Sequence, residues 1–399
     1  MRIEVSNAHG QISVPSSKSY AHRMLIGGAL TNKTVIIDNV DLNDDILATI
    51  DCLQALGKKI EIDNKKITVS TVVPYEKLKQ PVVLNCRESG STLRFLIPIV
   101  LALGLEAKFI GTKRLISRGI EIYEIICIEQ GISYKIEEEA IYFKGQLKPV
   151  NLKIKGSVSS QFISGLLMAA PLLHERVIIC VKRPFESKNY VLMTKDVLNK
   201  FGIKIFDVQD IFIVHANQEY QPTNFVCEPD QSNQAFIDAF NYLGGNVEIT
   251  NRIDQTLQGD AVYKEHFENL QKGKQLIDLG NCIDLGPILF VMAALNKGAK
   301  FINIERLRIK ESDRVSELLE ELEKFGVKYT LRENELEIHN SELKKPSVLN
   351  GHNDHRIVMA LSVMLSKFGG NINGAECVKK SYPNFFNDLR KIGIEVYDE

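Results

Sequence analysis

The chain has 399 residues, of which 44% are hydrophobic and 25% are charged, and its formal net charge is −1. A nearly neutral chain gives no electrostatic reason to bind nucleic acid or an anionic membrane surface. The longest apolar run, from Phe95 to Leu105, has 11 residues and contains Pro98, so it is too short to cross a bilayer. The N-terminal segment 1–15 alternates like a strand and lacks the apolar block of a signal peptide.

Six polar segments recur along the chain, and each runs directly into an apolar, helix-like stretch. They are SSKSYAHR at 16–23, SGSTLR at 89–94, VSSQF at 158–162, PDQSNQAF at 229–236, DLGP at 284–287 and NDHR at 353–356. The spacings are 54 to 72 residues when they are counted from Ser17, Ser89, Val158, Asp230, Asp284 and Asn353. This near-regular spacing predicts a structural unit that is repeated six times.

Each apolar helix is followed by a strand, a second helix and a hairpin. The second helix is clearest in three stretches that end in Gly, the usual residue after a helix C-terminus: 44–57, 189–202 and 313–326. Alternating strands around a polar turn come next, at 58–70, 203–216 and 327–340. The unit is therefore predicted as α-β-α-β-β. The fourth unit is the poorest match, because it is the shortest and its hairpin is hard to see.

The two ends of the chain are predicted to belong together. The sixth unit stops after one hairpin strand, whereas a strand predicted at 2–14 belongs to no unit. We expect this N-terminal strand to complete the sixth unit, which would place the two chain ends close together. The six units then form two similar domains of three. One domain is predicted from 1–14 together with 228–399, and the other is inserted at 15–227.

The polar segments carry the residues of chemical interest. A helix N-terminus offers unpaired backbone N–H groups and the positive end of the helix dipole, which favour a bound anion. The segments and nearby loops add cations and hydroxyls, namely Lys18, Ser19, Arg23, Arg94, Arg118, Ser159, Ser160, Ser187, Lys310, Arg314, Arg356 and Lys380. Ser, Asp and Asn at a helix start are also ordinary caps. Repeated Lys and Arg oppose the dipole, and we therefore expect a cleft between the two domains that binds polyanionic small molecules.

Other classes of site have no support in the sequence. The chain contains neither GxxxxGK[ST] nor GxGxxG, the phosphate-binding and dinucleotide-binding fingerprints, and neither HExxH nor GxSxG. His352 and His355 have a spacing compatible with metal binding, but the adjacent Arg356 argues against a cation site. The seven cysteines are scattered without a CxxC pair, which indicates reduced thiols in a cytoplasmic protein.

Eight motifs occur in the order SSKSYAHR, SGSTLRF, SRG, VSSQF, IDLGP, RIKESDR, NDHR and KKSYP. In order and spacing they resemble the 5-enolpyruvylshikimate-3-phosphate (EPSP) synthases, or 3-phosphoshikimate 1-carboxyvinyltransferases, a family of enolpyruvyl transferases. The resemblance covers nearly the whole chain. It implies an α/β (α+β) fold of two similar domains, each with three α-β-α-β-β repeats in an inside-out α/β barrel. Helices would lie inside and sheets outside, in agreement with the six predicted units.

The resemblance also implies a reaction. The enolpyruvyl group of phosphoenolpyruvate would move to the 5-hydroxyl of shikimate 3-phosphate and release phosphate through a tetrahedral intermediate. This is a step of the shikimate pathway towards chorismate and the aromatic amino acids. Both substrates carry a phosphate and a carboxylate, which would explain local cations in a neutral chain. No cofactor, metal, nucleic acid or membrane partner is implied, and we expect a cytoplasmic monomer.

Site residues are assigned by the same resemblance, position by position. Contacts with shikimate 3-phosphate fall on Lys18, Ser19, Arg23, Ser159, Ser160, Gln161, Ser187, Tyr190, Asp284 and Lys310. Contacts with phosphoenolpyruvate fall on Lys18, Gly90, Arg94, Arg118, Gln161, Arg314, Arg356 and Lys380. Asp284 matches the general base on the 5-hydroxyl and Glu311 the general acid. Lys18 lies in both substrate sites and is a third candidate for proton transfer.

Two alternatives remain open at this point. UDP-N-acetylglucosamine 1-carboxyvinyltransferase shares the fold and the enolpyruvyl donor. Its motif at the first lysine reads KNA, and it uses a cysteine in a loop. This chain instead has Lys18-Ser19-Tyr20, and its Cys127 lies in an apolar pattern. A non-catalytic anion-binding protein on the same scaffold would not need Asp284 and Glu311. One departure from relatives is Arg306, which stands where some of them have Asn.

Overall fold

The computed structural model describes residues 1–149, 151–157 and 159–398; Val158, the first residue of the third polar segment, lies outside these ranges. The chain divides into two compact units, one formed by Met1–Pro15 with Pro229–Glu399 and the other by Ser16–Glu228. Each unit has its own core of buried apolar side chains. Within the described ranges, no helix is long and apolar enough to cross a membrane.

The α-helices of the described ranges are α1 Lys18–Ala29, α2 Asp44–Ala55, α3 Gly90–Ala102, α4 Lys113–Ser117, α5 Glu121–Gln130, α6 Ser160–Ala169, α7 Lys188–Lys200, α8 Gln231–Tyr242, α9 Tyr263–Lys272, α10 Gly286–Ala294, α11 Ser316–Lys324, α12 His355–Phe368 and α13 Phe385–Lys391. Each polar segment leads into one of α1, α3, α6, α8, α10 and α12, as predicted. The second helices predicted at 44–57, 189–202 and 313–326 are α2, α7 and α11.

The strands are β1 Arg2–Ile3, β2 His9–Ile12, β3 Val35–Asp38, β4 Lys58–Asp63, β5 Lys66–Thr71, β6 Val82–Asn85, β7 Ala107–Ile110, β8 Ser133–Ile136, β9 Ala140–Lys144, β10 Asn151–Lys155, β11 Val177–Lys182, β12 Ile205–Val208, β13 Ile211–Val214, β14 Phe225–Val226, β15 Asn246–Ile249, β16 Gln275–Asp278, β17 Gly298–Ile302, β18 Tyr329–Leu331, β19 Glu335–His339, β20 Leu349–Asn350, β21 Gly370–Asn373 and β22 Val396–Tyr397. The three predicted hairpins are β4–β5, β12–β13 and β18–β19, each antiparallel.

The repeats of the unit Ser16–Glu228 are joined through shared sheets. Its three sheets have the strand orders β14-β3-β5-β4, β6-β7-β9-β8 and β10-β11-β13-β12. In each sheet, three strands come from one repeat and the parallel edge strand comes from the end of another repeat. The edge strand of the first sheet, β14, follows the third repeat. The three repeats therefore form a closed cycle of sheet pairing, although each sheet is open.

The same pattern in the other unit explains the N-terminal strand. Its four-stranded sheets have the orders β16-β17-β19-β18 and β20-β21-β1-β22. Strand β1 pairs antiparallel with both β21 and β22, with Arg2 opposite Asn371 and Tyr397. It thus completes the sixth repeat, as expected from the sequence. The single strand predicted over 2–14 was wrong in extent, because β2 is a separate strand that pairs in parallel with β15 of the fourth repeat.

The fourth repeat is the one that departs from α-β-α-β-β. It has α8, β15 and α9 but no hairpin, and β15 forms a sheet with β2 alone. The missing hairpin accounts for the short spacing in the sequence. The chain has thus replaced two hairpin strands by a direct connection from α9 to β16.

The helices that follow the polar segments are buried along almost their whole length. All nine residues of α10 are buried, as are twelve of the fourteen residues of α12. These helices form the inside of each unit, and the sheets lie outside, as the resemblance implied. Polar side chains are most frequent at their N-terminal ends, although α8 and α12 also carry the partly exposed Asn241 and Lys367 near their C-terminal ends. The fold therefore concentrates the polar segments at helix starts, where side chains and backbone N–H groups can meet a ligand.

Candidate active site

Capping side chains fix the start of most of these helices. Ser17, Ser89 and Ser159 accept hydrogen bonds from the backbone N–H groups of Tyr20, Thr92 and Gln161. Asp230 and Asp354 cap α8 and α12 in the same way. The fifth segment differs, because Asp284 lies in a 3-10 turn, Ile283–Leu285, that leads into α10. The capping interpretation of Ser and Asp is therefore correct for these residues.

Lys18 is the first residue of α1 in the unit Ser16–Glu228. Its Nζ lies 2.7 Å from Oδ2 of Asp45 on α2, and both side chains are mostly buried. A buried ion pair of this kind holds the ammonium group in one place, at the start of a helix. Asp45 was not predicted from the sequence, since its only signal was a position in the first turn of α2.

Arg23, one turn further along α1, is almost fully buried. Its Nη1 donates to the Ser19 carbonyl at 2.6 Å, and its Nη2 donates to the Tyr190 carbonyl at 3.0 Å. Its Nε donates to the Thr194 hydroxyl at 2.7 Å, and its guanidinium stacks over the Phe95 ring. Burial lowers the pKa of Arg23 to about 10. The structure thus brings together Ser19, Arg23 and Tyr190, three of the residues predicted to contact shikimate 3-phosphate.

A second group in this unit links α3, α4 and α6. Arg94 donates from Nη1 to Oε1 of Gln161 at 2.8 Å and from Nη2 to the Arg118 carbonyl at 2.9 Å. Its guanidinium also lies over the Phe162 ring, 5.0 Å from the centroid. Gly90, the first residue of α3, lies against the Arg118 guanidinium. Four of the residues predicted to bind phosphoenolpyruvate are therefore in contact.

The predicted serines of this unit occupy helix starts. Ser159 caps α6, and Ser160 is its buried first residue. Ser187 precedes α7, is buried and has a left-handed backbone with φ of 52°. That conformation is uncommon for a residue with a Cβ and often marks a functional constraint. The Tyr190 ring, one turn into α7, is partly buried against the core.

In the other unit, Asp284 lies among three cations. Its Oδ1 is 3.2 Å from Lys310 Nζ and 3.0 Å from Arg314 Nη1, and its Oδ2 is 3.6 Å from Arg356 Nη2. The Asp284 carbonyl also accepts a hydrogen bond from Arg356 Nη1 at 3.2 Å. Three positive groups around one carboxylate stabilise its negative charge.

Arg314 is the centre of this cluster, with 1% of its side chain exposed. Its Nη2 lies 2.7 Å from Oε2 of Glu311, and its Nε lies 2.7 Å from Oδ2 of Asp354. The nearby carboxylates raise the pKa of Arg314 despite its burial. Arg314 therefore holds the predicted base and the predicted acid in one network. Asp354 is a further member, which the sequence marked only as the residue between Asn353 and His355.

The remaining cations lie at the edges of the network. Burial lowers the pKa of Lys310 to about 8, and the neighbouring Arg314 opposes its charge while Asp284 favours it. Lys380 donates from Nζ to the Asn353 carbonyl at 2.6 Å. Arg356 is the second residue of α12, and its backbone N–H donates to Oδ1 of Asp354. All the site residues predicted for this unit thus lie in or beside one charged cluster.

Side chains of the fourth polar segment form hydrogen bonds within their own unit. Gln234 donates from Nε2 to the Tyr263 hydroxyl at 2.6 Å, and the Ser232 hydroxyl donates to Asp260. Asp260 is almost fully buried, and burial raises its pKa to about 6, with a further increase from Asp284. Asp260 was not recognised in the sequence, because the 3-10 turn Gly259–Val262 that carries it has no distinctive pattern.

The residues around Lys18, Arg23 and Arg94 in one unit differ in chemistry from the cluster around Arg314 in the other. The cluster in Ser16–Glu228 has cations, hydroxyls and a carboxamide, which suit the binding of phosphate and carboxylate groups. The cluster in the other unit adds two carboxyl groups that can exchange protons with a substrate. Among the described residues, no group of three or more His, Cys, Asp or Glu side chains is arranged to hold a metal ion.

Comparisons with known proteins point in one direction. The family model for EPSP synthase (3-phosphoshikimate 1-carboxyvinyltransferase) matches residues 4–389. The 3-phosphoshikimate 1-carboxyvinyltransferase of Clostridium kluyveri is 38% identical, over 99% of this chain and 97% of its own length. The enzyme of that name from Brachyspira hyodysenteriae is 36% identical, over 99% of both chains.

Solved structures agree on the fold. EPSP synthase from Acinetobacter baumannii superposes with a TM-score of 0.79 at 21% identity, and the match covers 100% of this chain and 99% of that one. The enolpyruvyl transferase NikO from Streptomyces tendae superposes with a TM-score of 0.77 at 12% identity, over 99% of this chain and 97% of its own. At such low identity, these two similarities concern the fold alone.

Proposed function

The chain belongs to the EPSP synthase family, and from this premise we propose that it transfers the enolpyruvyl group of phosphoenolpyruvate to the 5-hydroxyl of shikimate 3-phosphate. The transfer releases inorganic phosphate and serves aromatic amino-acid biosynthesis. The observation that carries the proposal is the family match over residues 4–389, together with an Asp284 carboxylate held among Lys310, Arg314 and Arg356.

The reaction needs two proton transfers and stabilisation of a tetrahedral intermediate. In the addition step, the 5-hydroxyl loses its proton to Asp284, and its oxygen forms a bond to C2 of phosphoenolpyruvate. Glu311 supplies the proton that converts the methylene carbon to a methyl group. In the elimination step, the bond between C2 and the phosphate oxygen breaks, and the methyl group returns a proton to the Glu311 carboxylate, which re-forms the double bond. The proton held by Asp284 leaves with the inorganic phosphate. Arg314 contacts both carboxyl groups and so holds them in one network, and Glu311 must be protonated when it acts.

Binding of the two substrates would draw on both clusters. We assign phosphoenolpyruvate to Gly90, Arg94, Arg118, Gln161, Arg314, Arg356 and Lys380, and shikimate 3-phosphate to Ser19, Arg23, Ser159, Ser160, Gln161, Ser187, Tyr190, Asp284 and Lys310. Lys18 would contact both. Support comes from the cations that a nearly neutral chain has gathered into these groups. The assignment requires residues of both compact units to act on one pair of substrates, so a variant in either cluster should impair the same reaction.

The sister reaction on UDP-N-acetylglucosamine is less favoured. It uses a loop cysteine, whereas Cys127 lies within α5 and is fully buried. Burial raises the pKa of the Cys127 thiol to about 11, which disfavours the reactive thiolate. A non-catalytic anion-binding protein would have no use for the proton-transfer pair Asp284 and Glu311.

One assay separates the three functions. Purified protein is incubated with phosphoenolpyruvate and either shikimate 3-phosphate or UDP-N-acetylglucosamine, and phosphate release is followed with time. We expect release only with shikimate 3-phosphate. Release only with UDP-N-acetylglucosamine would overturn the proposal in favour of the sister reaction. Binding of both anions without release would favour the binding protein.

We further propose that the protein acts as a monomer in the cytoplasm. The seven cysteines are an odd number without paired spacing, which suits a reducing compartment. Light scattering coupled to gel filtration should give the mass of one chain, 45.0 kDa. A mass of two chains that persists at sub-micromolar concentration would contradict the monomer.

A further inference from the structure

Helix α11 is bound at both ends to the segment 350–354, which leads into α12. Before its N-terminus, Arg314 pairs with Asp354 of this segment. Towards its C-terminus, Glu321 reaches the same segment through a second set of contacts. Glu321 and His352 were not among the predicted site residues. The contact of Glu321 with the segment 350–354 is therefore additional to the predicted site.

The Glu321 carboxylate has none of its side-chain surface exposed. Its Oε2 accepts a hydrogen bond from the Asn350 backbone N–H at 3.0 Å, and its Oε1 accepts one from His352 Nε2 at 2.9 Å. Lys324 Nζ lies 2.9 and 2.8 Å from the two oxygens. A buried carboxylate needs such a full set of donors, since an unpaired buried charge is costly.

The backbone that Glu321 holds is in an unusual conformation. His352 and Asn353 both have left-handed backbones, with φ of 48° and 52°. Two consecutive non-glycine residues of this kind cost free energy that surrounding contacts must offset. Here the contacts are the Glu321 bonds, the bond from the His352 N–H to Oδ1 of Asn350, and the bond from the Asp354 N–H to the Gly351 carbonyl.

This conformation has a direct consequence for the charged cluster. It presents the Asn353 carbonyl to Lys380 Nζ at 2.6 Å. It also places Asp354 where it caps α12 and receives Arg314. Arg356 follows two residues later. Three cations assigned above to phosphoenolpyruvate thus depend on the position of one short segment.

We propose that Glu321 and His352 are a positioning pair, which fixes the segment 350–354 so that Arg314, Arg356 and Lys380 converge on phosphoenolpyruvate. The inference rests on the proposed function, because that function identifies the ligand of these cations. The pair acts through the backbone and does not touch substrate. Its effect should therefore fall on the affinity for phosphoenolpyruvate, with much less effect on turnover.

Two substitutions at His352 separate the hydrogen bond from the backbone. In His352→Gln, the amide nitrogen reaches about as far as Nε2 and can still donate to Glu321. In His352→Asn, the amide is too short to reach, but Asn tolerates a left-handed backbone well. If the hydrogen bond to Glu321 matters, His352→Asn should be more harmful than His352→Gln. If only the left-handed backbone at position 352 matters, His352→Gln should be the more harmful variant. His339→Asn is the matched control for a histidine near a carboxylate, because β19, which carries His339, lies in a different sheet from β20.

Steady-state kinetics give the first readout. We expect His352→Asn to raise KM for phosphoenolpyruvate about tenfold, the usual scale for a lost bond to a charged group. His352→Gln should return KM to within about threefold of the wild type, and kcat and KM for shikimate 3-phosphate should change by less than about threefold in both. Equal KM values in all three proteins, or a larger loss with Gln than with Asn, would overturn the proposal.

Amide hydrogen exchange gives a second readout that does not require activity. The Asn350 and Asp354 N–H groups should exchange faster in His352→Asn than in the wild type, with His352→Gln close to the wild type and His339→Asn unchanged. If the wild type fails to turn over its proposed substrates, the proposed function fails while this measurement still tests the positioning pair. Unchanged exchange in His352→Asn would overturn the pair itself.

Discussion

Gly90 lies against the guanidinium of Arg118: a Cβ added at position 90 would be 3.2 Å from both terminal nitrogens of that arginine and 3.3 Å from its Cζ. These separations are tighter than ordinary van der Waals contact. The Arg118 side chain would have to give way, and Arg118 is one of the cations assigned to phosphoenolpyruvate. The absence of a side chain at position 90 therefore sets the place of a neighbouring cation.

We predict that Gly90→Ala raises KM for phosphoenolpyruvate, because the new methyl group displaces Arg118. A shift of a few tenths of an ångström in a charged contact should cost about 1 kcal/mol or more, or a factor of about five in KM. Steady-state kinetics with varied phosphoenolpyruvate measure it, and KM for shikimate 3-phosphate is the internal control. An unchanged KM for phosphoenolpyruvate would refute this account.

The role of Asp284 is tested by Asp284→Asn, which keeps the shape and an acceptor oxygen among the three cations but removes the basic carboxylate. We expect kcat to fall by a factor of about 100 or more. Binding of shikimate 3-phosphate, measured by calorimetry, should remain. A variant that retains more than about a tenth of wild-type kcat would exclude Asp284 as the general base.

Glu311→Gln should likewise lower kcat by a factor of about 100, because the amide cannot deliver a proton to the methylene carbon. Solvent deuterium incorporation at that carbon offers a direct check. In deuterated water, the wild type should place deuterium at C3 of recovered phosphoenolpyruvate through reversal of the addition step, and the variant should do so far more slowly. Equal incorporation by both proteins would assign the acid role elsewhere, with Lys18 the next candidate.

For Lys18, we predict that Lys18→Ala impairs phosphoenolpyruvate binding and turnover together. The structure adds a complication, since the change also leaves Asp45 without the ion pair at 2.7 Å. The double variant Lys18→Ala/Asp45→Asn is the control. Recovery of activity in the double variant would mean that the stranded carboxylate caused the loss, whereas continued loss would support a direct role for Lys18.

The affinity for shikimate 3-phosphate should depend on pH through Lys310. Burial lowers the pKa of this amine to about 8, so the substrate-free protein loses the cation as pH rises through that value. An anion binds the charged form better, and KM should therefore rise between pH 7.5 and 9.5, by at most about tenfold per unit above the pKa. Lys310→Arg, which stays charged, should remove the rise. A wild-type profile as flat as that of the variant would contradict the assignment.

Much of the fold could be predicted because the same local signals recur. Ser17 and Ser89 are helix caps that precede long apolar stretches, and such starts can be read from sequence. Helix α4 was missed because its five residues are too few to display a period. The two-residue strands β14 and β20 were missed for the same reason, since their existence depends on neighbouring strands.

The site could be predicted only in part. Motifs indicated Arg314 and Arg356, but Asp354, which binds one and caps the helix of the other, was not recognised. Asp45 contacts Lys18 from the next helix, and Thr194 contacts Arg23 from a helix far away in sequence. Such partners are selected by the packing of helices, and a local pattern does not contain that information.

Strand β1 gives the molecule a definite order of assembly during synthesis. The unit Ser16–Glu228 is continuous, so all of its strands have left the ribosome soon after residue 228. Arg2 instead pairs with Asn371 and Tyr397, which are synthesised much later. Strand β1 is made before the unit Ser16–Glu228 but finds its sheet partners only after that unit is complete. Between the synthesis of residue 228 and that of residue 371, a nascent chain should therefore carry one folded unit and a β1 segment without its sheet partners.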